Sequence, residues 1–433
     1  MTLGYPVAQH RLDNGLRVVA SADHTTPAVT VHLQYNVGSG HEQPSRTGLA
    51  HLAEHLMFEG SRNVRPGEHA ELMRTCGAAY NGAADADLTV YFQHLPAGAV
   101  ELAFWLEADR MATVVEGLDQ GLLDAQRGVI TQEKHQRYDN VPYGNIEERL
   151  LALVYPEGHP YHHPVIGSMA DLYDVTVTEV AQFFRTWYTP GNAVLAVTGD
   201  IEPEQVFDAA QTYFGPIPAG PQRPQVPVRV LGPATVRCRD DAVETVPGAM
   251  ASMGFRLPPD SVTTPGMAAC DLALRMLADG KPSRAHQVLV RDLKAARGVR
   301  AHTDSRTGGN SLGVITVSAM PDVGTDVIEK ALTAELEALA TSGPGELELA
   351  CALAAAEREL LATVSRSQGR AFYLAYFTAA FGDPGLINTA DDRLRAITLA
   401  QVREAAAEWL IPDHAATVTT SPAPRHDPWP SVG

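Results

Sequence analysis

In the stretch HLAEHLMFEG, residues 51–60, two histidines and a glutamate fall within five positions. On a helix, positions i and i+4 project from one face. His51 and His55 can therefore reach a single ion, with Glu54 on the same side, one residue round. Imidazole suits zinc, and a catalytic zinc site needs a further protein ligand and an open position. The order His-x-x-Glu-His inverts the His-Glu-x-x-His of many metal-dependent hydrolases. In both, the glutamate can take a proton from a metal-activated water without binding the metal. The competing interpretation is a helix whose histidines are solvated or hydrogen-bonded to neighbours. Three features favour the metal. The motif follows a strand directly and is flanked by Gly and Ala; Leu52, Leu56, Met57 and Phe58 half-bury it; and two buried histidines beside a carboxylate cost roughly several kcal/mol unless satisfied.

Positioning that helix falls to the segments around it. Strands are expected at LRVVASA and AVTVHLQYNVGSG, and the motif helix runs through TGLAHLAEHLMF. A helix at GEHAELMRTCG and an alternating strand at DLTVYFQHLP come next. Helical patterning then covers residues 98–113, 118–150 and 176–188, ahead of the strand AVLAVTGD and the helix PEQVFDAAQTYF. Proline and glycine concentrate in FGPIPAGPQRPQVPV, a linker signature. This sets a first half at 1–218, a linker at 219–232 and a second half at 233–433. The second half repeats the order of the first. GAMASMGFRLP matches AVTVHLQYNVG, ACDLALRMLADGKPS matches GLAHLAEHLMFEGSR, and GVITVSAMP matches LTVYFQHLP. LAQVREAAAEWLIPDHAATVTT matches VTEVAQFFRTWYTPGNAVLAVT. Four matches in register indicate duplication into an α+β fold of two similar halves, each a mostly antiparallel sheet packed with helices. Leu272, Arg275 and Met276 occupy the places of His51, Glu54 and His55, so only the first half carries the polar triplet.

Composition bounds the remaining classes. The chain has 433 residues, 45% hydrophobic and 19% charged, an ordinary globular make-up for about two or three domains. No apolar run reaches the ~18 residues of a spanning helix, and the N-terminal stretch lacks a basic segment followed by an apolar core. Cys76, Cys238, Cys270 and Cys351 lie far apart without a CxxC pair and read as reduced thiols. These features point to the cytoplasm. A net charge of −18 argues against nucleic acid and anionic membranes as partners.

HLAEHLMFEG resembles the core motif of the M16 metallopeptidases, the inverzincin family of pitrilysin, insulin-degrading enzyme and mitochondrial processing peptidase. The resemblance runs over essentially the whole chain. LDNGLRVV, NVGSGHEQPSRTGLAHLAEHLMFEGSRN, HPYHHPVIGSMADLYDVT, FFRTWYTPGNAVLAVTGDI and YFGPIP follow in family order. The length is similar to that of the shorter members, whose active unit needs two chains. The resemblance implies one Zn2+ per chain, held by His51, His55 and a glutamate on a later helix. That position falls on Glu133 in QRGVITQEKHQRYDN, with His135 as a nearby alternative. Gln126 stands where family members usually carry a further glutamate. Its amide keeps hydrogen-bonding capacity but lacks the charge. GAAYNGAADADLTVYF is similar to the segment where the family presents an edge strand to substrate, which assigns Asn81, Gly82 and Ala83 to strand addition. A turn asparagine before glycine is the alternative for Asn81. The HPYHH cluster, His159 to His163, reads as a surface turn, because Pro160 and Pro164 interrupt any helical spacing of ligands.

The resemblance thus implies a zinc-dependent endopeptidase subunit acting on peptides or unfolded segments, with Glu54 as base and then as proton donor to the leaving amine. Active members also carry an arginine and a tyrosine in the second half that hold substrate. In LKAARGVRAHTDS, aligned on Arg297 and Gly298, Lys294 and Ala301 stand at those positions. Lysine cannot copy the planar fork of arginine, and alanine has neither hydroxyl nor ring. Arg291 or Arg300 could replace the arginine in a shifted register, but no tyrosine lies nearby. The expected unit is therefore a heterodimer with a homologous chain that carries the Arg/Tyr pair, a homodimer being the runner-up. Two readings from other classes are a non-catalytic scaffold or binding subunit of the same fold and a metal-dependent hydrolase of non-peptide substrates.

Overall fold

The computed structural model describes residues 3–224 and 229–423, so 225–228 of the expected linker lie outside the described residues. Strands β1 (Ala8–Arg11), β2 (Arg17–Ala22), β3 (Ala28–Tyr35), β4 (Ala79–Ala84), β5 (Thr89–Pro96) and β6 (Ala193–Gly199) form one sheet in the order β1-β2-β6-β3-β5-β4. Strands β7 (Cys238–Glu244), β8 (Met250–Arg256), β9 (Ala296–Asp304), β10 (Leu312–Ala319) and β11 (Ala416–Pro422) form a second, ordered β7-β11-β8-β10-β9. Without β1 the two orders coincide. In each sheet one pairing is parallel, β2 with β6 and β7 with β11, and the others are antiparallel. The repeated sequence order is thus a repeated topology, the duplicated α+β fold that the sequence predicts.

β3 is buried on both faces. Val29, Val31, Leu33 and Tyr35 fill one side, and Thr30, His32 and Gln34 the other. The helix Ser367–Phe381 lies on β3 and β6. Phe372 from that helix meets the His32 ring edge-on, and burial lowers the His32 pKa to about 3. The helices needed below are α1 (Leu49–Leu56), α2 (Glu68–Thr75), α3 (Val100–Thr113), α4 (Gln120–Lys134) and α5 (Ile146–Val154).

The chain forms two compact units that are not contiguous in sequence. Each sheet is drawn from one half, β1–β6 from before residue 218 and β7–β11 from after 233. The first unit, however, takes in residues 355–396, and the second takes in 134–162. Within the second unit α5 packs so tightly on β8 that a Cβ at Gly254 would stand 3.0 Å from Val154 and 3.1 Å from Leu150.

Two expectations need correction. The helical pattern over 118–150 is not one helix: α4 ends at Lys134, a π-helical turn covers His135–Asp139, and a run of turns over 140–145 precedes α5. Pro142 has no N–H to continue a helix. Gly144 lies so close to Tyr138 that a Cβ there would stand 2.2 Å from its carbonyl oxygen. The HPYHH segment is not wholly a surface turn either. His159 is buried and stacks on Tyr155 at 5.0 Å, with its Nε2 3.3 Å from the Arg229 carbonyl. The four cysteines are free thiols. Among the described residues no helix is long and apolar enough to cross a membrane.

Candidate metal centre

The motif helix α1 starts where Gly48 meets Gly167, on which a Cβ would stand 2.2 Å from the Gly48 nitrogen. Gly48 has φ +91°, and a Cβ on it would stand 2.7 Å from the Ile166 carbonyl oxygen. A helix start leaves amide donors without partners. The wholly buried Glu42 side chain accepts two of them, Gly48 N–H at 2.9 Å and Ala50 N–H at 2.6 Å. Burial pushes the Glu42 pKa up to about 8 against the pull of those amides. Asp171 accepts from the Thr47 amide at 3.1 Å and from its hydroxyl at 2.7 Å. Helix α4 is fixed separately. The buried Arg127 donates to the carbonyls of Leu172 at 3.0 Å, Tyr173 at 2.8 Å and Val175. Gln126 is buried beside it.

Between these helices three side chains converge. His51 Nε2 and His55 Nε2 are 3.3 Å apart, and Glu133 Oε2 lies 3.6 Å from the first and 3.4 Å from the second. Two ligands each about 2.0–2.1 Å from a tetrahedral zinc are about 3.4 Å apart. The donor set, two imidazole nitrogens and one carboxylate oxygen, also suits that ion. Among the described residues this is the one such group of three found. His135, the alternative ligand, is outside it: its side chain is half exposed and its Nδ1 lies 2.8 Å from Asp139 Oδ2.

Glu54 lies against β4, an edge strand paired to β5 alone. A Cβ on Gly82 would stand 3.0 Å from Glu54 Oε1, 2.9 Å from the Phe58 ring and 3.2 Å from the Tyr91 ring. Glycine at this position is what lets the strand pass over the carboxylate. Asn81 and Ala83 flank it and are exposed. In the second unit Lys294 sits exposed at φ +52° just ahead of β9, and Ala301 lies on β9 opposite Ile315.

The supporting groups were not foreseen from sequence: Glu42, Asp171, Arg127 and the buried Glu107–Arg110 pair on α3. A signal for the last was present in AFWLEADRMATVV, where charged residues interrupt an apolar helical run.

Residues 17–165 match the family described as Insulinase (Peptidase family M16), and residues 174–355 match Peptidase M16 inactive domain. The two matches together span more than half of the chain. Zinc protease PqqE of Helicobacter pylori is 27% identical over 335 residues, covering 76% of this chain and 73% of its own length. An uncharacterized zinc protease of Mycobacterium tuberculosis is 25% identical over 418 residues, 94% of this chain and 91% of its own. The crystal structure of a protease from Helicobacter pylori superposes with a TM-score of 0.88 at 22% identity, over 96% of this chain and 100% of that one. At that identity the structural likeness speaks for the fold.

Proposed function

The chain belongs to the M16 peptidase family, and from that premise we propose that it is a zinc-dependent endopeptidase subunit. The observation that carries this reading is the convergence of His51, His55 and Glu133 at the mutual spacing of tetrahedral zinc ligands, with Glu54 beside them under an edge strand. His51, His55 and Glu133 would hold the ion, which when bound would supply Lewis acidity. Glu54 takes a proton from the attacking water and delivers it to the departing amine nitrogen. The free edge of β4 takes an extended peptide by strand addition across Asn81, Gly82 and Ala83. Gln126, buried on the same helix as Glu133, supports the ligand helix with an amide in place of a charge.

Gly82→Ala tests the strand's role. The added methyl would meet Glu54, Phe58 and Tyr91 at 2.9–3.2 Å, so either the strand lifts or the carboxylate turns. Hydrolysis of a quenched peptide is expected to fall about 10- to 100-fold, as misplacement on the ångström scale does. Metal analysis should show zinc retained. Unchanged turnover would mean that β4 does not act at the reacting bond.

Lys294 and Ala301 supply neither a planar fork nor a phenol, so the working enzyme is read as a heterodimer whose other chain carries the Arg/Tyr pair. The test is zinc content together with cleavage of a quenched peptide library, for the chain alone and co-purified with a chain of the same fold that lacks His-x-x-Glu-His. The expected result is about one zinc per chain in both cases, with turnover at least roughly tenfold higher in the pair. Full activity of the isolated chain at every dilution would defeat the heterodimer. A zinc-loaded chain that cleaves nothing in any pairing would favour the scaffold reading.

A further inference from the structure

Behind Glu54 the first unit buries a complete ion pair that the proton transfer does not use. Glu107 and Arg110 on α3 are 1% and 3% exposed. Arg110 Nε donates to Glu107 Oε2 at 2.9 Å, and Nη2 donates to Oε1. Gln93 Nε2 donates to the same Oε1 at 2.5 Å. The other side of the guanidinium faces the site. Arg110 Nη1 reaches the carbonyl of Met57, the residue that ends α1, at 3.4 Å. Its central carbon lies 5.0 Å from the Phe58 ring centroid and 4.3 Å from that of Tyr91. These are the two rings that, with Glu54 Oε1, crowd Gly82. One side chain therefore touches the end of the motif helix and both rings of the wall beside its glutamate.

We propose that Arg110, held by Glu107, is a positioning residue for Glu54, fixing the wall of Phe58, Tyr91 and Gly82 against which that carboxylate rests. The inference depends on Glu54 being the proton carrier proposed above. A buried ion pair is a poor device for stability alone, because apolar residues of similar volume commonly serve as well or better. The planar fork, in contrast, donates two bonds to one carboxylate and stacks on rings at once, which lysine cannot do. The pair's position, rather than its contribution to stability, explains its presence behind the base.

The decisive variant is Glu107→Met/Arg110→Met in the full chain, assayed zinc-loaded with whatever partner the parent requires. It is expected to fold with a Tm near or above the parent and to hold zinc stoichiometrically, yet to lose about 10- to 100-fold in kcat with little change in KM. Hydrogen exchange should quicken in β4 and at Met57 and Phe58 while β3 and β6 stay protected. Arg110→Lys, which keeps the charge without the fork, should recover only part of the loss, and it decides the matter if the double variant fails to fold. A folded, zinc-loaded variant with parental kcat and parental β4 exchange would overturn the proposal. If the parent itself cleaves no peptide while β4 exchange still rises in Arg110→Lys, the peptidase reading falls and the positioning of the wall stands.

Discussion

Glu54→Gln is expected to keep one zinc per chain and the parental Tm while losing about 10²- to 10⁴-fold in peptide hydrolysis, the usual contribution of a positioned acid–base group. The amide has the shape of the carboxylate, so the close approach to Gly82, Phe58 and Tyr91 is preserved. It cannot take a proton from water at neutral pH. Burial is the main cause that holds the Tyr91 and Tyr188 phenols above their ordinary range, and the Glu54 charge adds to it. The substitution removes that charge without opening a cavity, so the stability cost should be small. Steady-state kinetics and metal analysis on the same preparation give the answer. Activity lost together with zinc would make Glu54 a support of the ligand set rather than the base, and parental activity would remove it from the chemistry.

The parts of this architecture that were legible in the sequence are those encoded locally. His51 and His55 sit one helical turn apart in an apolar run, so the i, i+4 pattern shows their shared face directly. The duplication was legible because strand order survives divergence: β3 and β8, or β5 and β10, keep their apolar patterns while the ligand positions change to Leu272 and Met276. Glu133 is different. No periodicity ties it to α1, and only the resemblance to a family selected it over His135. The structure separates the two, since His135 turns to Asp139 and Glu133 to the histidines. The strand AYNGAA has no apolar alternation, because it is an edge strand whose one buried position must be glycine. The sorting of helices between units was also hidden. An amphipathic pattern in Ile146–Val154 shows that a face is buried, not which sheet covers it. The break after Lys134 could have been read, since Pro142 stands inside the pattern.

Glu133→Ala should abolish zinc binding at concentrations that saturate the parent, and hydrolysis with it. Its carboxylate oxygen is the third corner of a triangle whose other edge is the 3.3 Å separation of two imidazole nitrogens. Without it two neutral ligands remain, and catalytic zinc sites use three from the protein. His135 cannot step in without leaving Asp139 and turning inward from a half-exposed position. The metal-free parent and the metal-free variant should melt alike, because the Glu133 side chain is partly exposed and its loss opens no core cavity. Added zinc then discriminates. An ion that binds only the folded state stabilises it by about 2.7 kcal/mol at a hundred times its Kd, so the parent's Tm should climb with zinc while the variant's stays flat. The comparison does not depend on knowing the substrate. A variant that still holds stoichiometric zinc and shows the same rise in Tm would take Glu133 out of the ligand set, and the nearness of its carboxylate to both histidines would then need the simpler explanation of a hydrogen-bonded polar cluster.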